Sequence, residues 1–151
     1  MEQLRDIEWL RSFFKKHKQD LGYFHVSDIN EAIERTMDDL DMIDDLFLNE
    51  TIDLDTLFRN LSQNWTDDFF QRSKGNVSYL PQARRNSWVR FYAIKIDDGI
   101  YVLTGGTIKL TEKMQDREHT RLEVNRLERC RDYLVGLGIC DFCGFYEFLN
   151  E

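Results

Sequence analysis

The stretch WVRFYAIKIDDGIYVLTGGTI, residues 88–108, decides the fold. Trp88, Arg90, Tyr92, Ile94 and Ile96 alternate with Val89, Phe91, Ala93 and Lys95, and both sets are mostly apolar. One apolar set marks a strand with one buried face; two predict a strand covered on both faces. Asp97-Asp98-Gly99 then reads as a hairpin turn, because glycine takes positive φ without steric cost and aspartate tolerates it. Ile100 to Leu103 is the returning strand. Thr104, Gly105 and Gly106 interrupt it, as a bulge or a close backbone approach requires, and Ile108 to Thr111 resumes it. The glycine pair is expected to bend the strand and turn Lys109 toward the Arg90 strand.

Upstream of this hairpin the period changes from two to that of a helix. Leu4, Ile7, Leu10, Phe13 and Phe14 share one helical face, and Gly22 stops that helix or the turn after it. Ser27 offers an N-cap oxygen, with Asp28 and Glu31 suited to the first turn. Ile29, Ile33, Met37, Leu40, Ile43 and Phe47 follow as the buried stripe of a long helix, and Glu34, Asp38, Asp41 and Asp45 form its solvated face. Asp53 caps a third, short helix that buries Leu54, Leu57, Phe58 and Leu61. Residues 62–87 are rich in turn formers and read as irregular.

Downstream, a long helix is predicted over 117–135, capped near Asp116 and ended by Gly136 and Gly138. Its stripe is Val124, Leu127, Cys130 or Arg131, Leu134 and Leu137. The aromatic tail from Phe142 to Phe148 is expected to dock on the body, since left exposed it would be adhesive. The fold class is therefore α+β: N-terminal helices packed on a small, mainly antiparallel sheet with a long C-terminal helix. A chain of 151 residues fits one domain, with residues 1–64 as a helical acidic part and 65–151 as the strand–hairpin–helix part.

Composition limits function. Hydrophobic residues are 42% and charged residues 32% of the chain, a globular balance and not a disordered one. No apolar run is long enough to cross a bilayer, and the charged start from Met1 to Leu10 is not that of a signal peptide, so a cytoplasmic location without membrane contact is expected. Cys130, Cys140 and Cys143 are an odd number, against a disulfide framework. The Cys140/Cys143 C-x-x-C lacks the second pair of a four-ligand zinc site, so no metal or other cofactor is expected.

The net charge of −8 is unevenly spread. Residues 1–69 carry 7 basic and 17 acidic side chains, residues 70–132 carry 13 and 8, and residues 133–151 carry three acids and no base. Such a chain repels phosphates at long range, which excludes indiscriminate nucleic-acid binding, yet its basic middle permits a focused phosphate site.

From Trp88 to Leu134 the chain resembles the RelE/HigB toxin superfamily, especially its phage-derived HigB-like branch. The resemblance rests on Arg90 early in a strand, the DDG hairpin, Ile108-Lys109 closing the next strand, Thr111 and Lys113 after it, and a helix with Glu123 and Tyr133-Leu134. The LFRNL segment at 57–61 is similar to the family's passage from helix to strand. The resemblance implies the toxin of a toxin–antitoxin pair, an endoribonuclease that cleaves mRNA, commonly on the ribosome, without a metal. Its partner would be an antitoxin, of helix-turn-helix type. In that chemistry a ribose 2′-OH attacks the adjacent phosphate. Arg90, Lys109 and Lys113 would supply fixed positive charge where the oxyanion develops, and His119 is the nearest group for proton transfer at neutral pH. Arg84 and Arg85 would contact phosphate, and Tyr92 or Tyr101 would stack on a base. The alternatives are a non-catalytic protein-binding module that retains the fold, or a mobile-element accessory protein.

Overall fold

The computed structural model describes residues 2–48, 53–61, 70–81, 83, 85–110, 118–139 and 142–150. A short 3-10 turn, Glu2–Arg5, leads into α1, Ile7–Lys16. The break falls at Asp6, whose side chain accepts from the amides of Glu8 and Trp9 and caps α1. A second 3-10 segment, Lys18–Phe24, follows, and then α2, Ile29–Leu48. Next come α3, Leu54–Leu57; β1, Phe58–Asn60; β2, Gln71–Gly75; a 3-10 turn at Val77–Tyr79; β3, Val89–Asp97; and β4, Ile100–Ile108. The chain closes with α4, Glu118–Gly136, and α5, Phe142–Leu149.

The four strands form one antiparallel sheet in the order β1-β2-β3-β4. Side chains directly opposite each other in such a ladder share a face. Val89, Phe91 and Ala93 turn toward the N-terminal helices and join Leu10, Phe14, Leu21, Ile33, Leu40, Ile43 and Trp88 in one core. Tyr92, Ile94 and Ile96 turn the other way, onto Leu127 and Leu134 of α4 and Phe145 of α5. The double apolar pattern of β3 thus corresponds to a sheet between two helical layers. Burying each such aliphatic or aromatic side chain contributes roughly 1.5–3 kcal/mol, so both layers add substantially to stability.

Several elements differ from the expectation. Ile7 is 52% exposed, because the cap at Asp6 rotates the helix away from the phase set by Leu4. The side-chain cap of α2 is made by Asp28, which accepts from the Asn30 amide, in place of Ser27. The third helix is a single turn: Phe58 leaves it as an extended residue, and Phe58–Asn60 pairs with β2. Residues 71–75 are a central strand where an irregular segment was expected. The bulge expected at Thr104-Gly105-Gly106 is present, but it does not interrupt β4, whose Gly105 and Gly106 pair with Tyr92 and Phe91. Its register shift lies immediately before them: Tyr92 faces Gly105 and Ala93 faces Leu103, leaving Thr104 as the extra residue. The Thr104 hydroxyl donates to the Tyr92 carbonyl at 3.1 Å. Leu137 is exposed, beyond the end of α4. Thr111 and the cap proposed near Asp116 lie outside the described residues.

Candidate nucleic-acid interface

The approach to β3 is held from the opposite helical layer. Asp39 of α2 is buried, at 3% exposure. Its carboxylate accepts from the Ser87 hydroxyl at 2.8 Å and from Arg85 Nη2 at 3.1 Å. The Ser87 hydroxyl oxygen also accepts from the Val89 amide at 3.1 Å. Next to it, Trp88 Nε1 donates to Thr36 Oγ1 at 2.8 Å, and the Thr36 hydroxyl donates to the Ala32 carbonyl at 2.9 Å. Arg35 lies over the Trp88 ring at 5.0 Å and donates to the Asn86 carbonyl at 3.1 Å. Burial and the charge of Arg85 lower the Arg35 pKa from its ordinary value. These bonds satisfy the buried polar groups of Asp39, Ser87 and Thr36.

This framework positions Arg90. The Ser87 carbonyl accepts from both Asn76 Nδ2, at 3.1 Å, and Arg90 Nη1, at 2.8 Å. Arg90 is partly buried and sits opposite Thr107 of β4. The Lys109 amide donates to the Trp88 carbonyl at 2.8 Å, extending the β3–β4 pairing beyond Ile108. The backbone therefore brings Arg90 and Lys109 to the same end of the sheet.

The other sequence-derived candidates are distributed differently. Arg85 reaches back to Asp39 and helps to anchor the loop. Tyr92 is 4% exposed, packed between the sheet and α4, and offers no open ring face to a base. Burial, with the Glu123 charge acting in the same direction, pushes its hydroxyl up to about 12 against the opposing effect of Arg90. Tyr101 stacks on Phe58 with centroids 4.4 Å apart, and its hydroxyl donates to Asp55 at 2.6 Å. Burial and that hydrogen bond raise the Tyr101 pKa. Arg84 and Lys113 lie outside the described residues, as does the side chain of His119, whose backbone is in the first turn of α4.

Glu123 has a structural relation that its sequence position did not reveal. It is 14% exposed and pairs with Arg126 at 3.5 Å. A Cβ added to Gly105 would land on the Glu123 carboxylate. Gly105 thus leaves room for that side chain, which explains one of the two mid-strand glycines. Glu123 Oε2 is buried without a hydrogen-bond partner. The cysteines have no comparable assembly: burial raises the pKa of Cys130, Cys143 is exposed, and Cys140 is outside the described residues.

Among the described residues no group of His, Cys, Asp and Glu is arranged to hold a metal, and no helix is long and apolar enough to cross a membrane. Comparison with protein-family models, curated proteins and solved structures finds no match to this chain.

Proposed function

We propose that the chain is a RelE/HigB-like toxin component that cleaves mRNA by metal-independent attack of a ribose 2′-OH. The observation that supports this reading is that the backbone positions of Arg90 and Lys109 lie at one end of the β3–β4 pair, in the part of the chain with a local excess of basic residues. Two cations carried close together on the chain would supply positive charge where a phosphorane develops. The LFRNL segment is also consistent with it: α3 ends at Leu57 and β1 begins at Phe58, the order of elements that the resemblance implies.

A second reading, a non-catalytic protein-binding module, is favoured by the engagement of other candidates within the fold. Arg85 is paired to buried Asp39, and the Tyr101 hydroxyl is bound to Asp55. Induced expression in a bacterium separates the two. The toxin reading expects growth arrest with loss of full-length mRNA, relieved by Arg90→Ala and by Lys109→Ala in stably folded protein. Unchanged growth with intact mRNA favours the binding module.

A further inference from the structure

On the α4 side of the sheet, one cross-strand row reads Arg59, Lys74, Tyr92 and Gly105. Arg59 of β1 and Lys74 of β2 are direct partners. Like charges directly opposite each other destabilise a sheet, so this pairing by itself costs stability. No carboxylate pairs with either cation among the described residues. The Arg59 guanidinium lies 3.7 Å over the Tyr79 ring, which orients it without adding a carboxylate partner. Arg90 is on the same face of β3 as Tyr92, two residues away, and Arg90 and Tyr79 both lie close enough to act on the Tyr92 hydroxyl. The row's carboxylate, Glu123, is at the far end against Gly105 and is paired with Arg126.

We propose that Arg59, Lys74 and Arg90, with Tyr79 supporting Arg59, form a phosphate-binding site for single-stranded RNA beside α4. A phosphodiester between the opposed cations converts their repulsion into two attractions, and the arginines offer planar donors to its oxygens. The strands give the site a direction: it continues from the Arg90 end of β3 across β2 to the β1 edge. The inference rests on the RNA reading above and adds to it the path taken by the backbone. Neither Arg59 nor Lys74 was distinguishable in the sequence from an ordinary surface cation, because their opposition appears only with the β1–β2 register.

Fluorescence anisotropy with a short, unstructured, fluorescein-labelled RNA tests this, with Lys74→Glu and Arg59→Gln measured beside wild type. Wild type is expected to bind, with affinity falling as salt is raised. Each variant should weaken binding by about tenfold or more and reduce the log–log salt slope by about one, the change that removing a single phosphate interaction produces. Lys74→Glu should at the same time raise the thermal midpoint, since it replaces a repulsion with an ion pair to Arg59. Lower affinity with unchanged or higher stability separates a missing ligand interaction from a damaged fold. Wild-type binding in both variants, or no RNA binding by wild type at low salt, would overturn the site. mRNA cleavage by Lys74→Glu and Arg59→Gln at the wild-type rate would overturn it while leaving the toxin reading intact. RNA binding that depends on these cations, without cleavage, would support the site and remove the nuclease reading.

Discussion

Asp39 shows how much the start of β3 depends on one side chain. It accepts from Ser87 and Arg85 across a sequence separation of more than 40 residues. Asp39→Ala leaves the Ser87 hydroxyl buried without that partner, while partly exposed Arg85 regains water. The expected loss is about 1–3 kcal/mol, read as a lower urea midpoint with an unchanged slope; an unchanged midpoint would remove the anchor. Gly105 and Glu123 form another coupled pair. Gly105→Ala should displace the Glu123 carboxylate and destabilise by about 1 kcal/mol, whereas the same change in a Glu123→Ala background should cost less. A double-mutant cycle measures that difference, and strict additivity would contradict the coupling. At Asp55, burial opposes the charged form, but the Tyr101 hydroxyl, the Gly99 amide and Lys95 outweigh it and lower the pKa. The resulting stability is fully present above the unfolded carboxyl value of about 3.9 and is lost as pH falls through the lower folded value. Tyr101→Phe should therefore show a smaller fall in urea midpoint between about pH 5.5 and pH 3 than wild type, and an equal fall would assign the acid sensitivity elsewhere.

At the level of elements, what the sequence reveals depends on which interactions make each one. The β3–β4 hairpin was legible because its apolar alternation and Asp-Asp-Gly turn are local signals, and α2 because its stripe recurs along a helix of 20 residues. Strand β2 was not: Gln71-Arg-Ser-Lys-Gly75 has neither β-branched nor aromatic residues. It is a strand because β1 and β3 pair with its two edges. Its last residue shows the constraint, since a Cβ at Gly75 would lie 2.6 Å from the Phe91 ring and 2.7 Å from that of Phe58. Gly75→Ala should cost about 1–3 kcal/mol through overpacking of aromatic rings that cannot both retreat, and chemical denaturation would show it directly. A neutral substitution there would mean that β1 and β3 approach less closely. The site candidates follow the same division. Arg90 was legible as a cation in an apolar strand, but the role of Arg85 required Asp39, and the Arg59–Lys74 opposition required the β1–β2 register, of which β2 had no strand signature.

Across the molecule, the charge division coincides with the layers. The acidic residues concentrated in 1–69 include the exposed face of α2, while β2, β3 and most of α4 belong to the basic segment 70–132. The sheet lies between them, with one face on α1 and α2 and the other on α4 and α5. An RNA approaching the basic side would feel an opposing field from the acidic layer. Neutralising Asp38, Asp41 and Asp45 together is therefore expected to strengthen RNA binding, and weaker binding would place the interaction on the helical layer instead. End-group analysis of mRNA incubated with the purified protein and translating ribosomes tests the central functional claim most directly. Attack by the ribose 2′-OH predicts fragments ending in a 2′,3′-cyclic phosphate and beginning with a 5′-OH, absent with Arg90→Ala. Intact mRNA, or fragments with a 5′-phosphate, would contradict it.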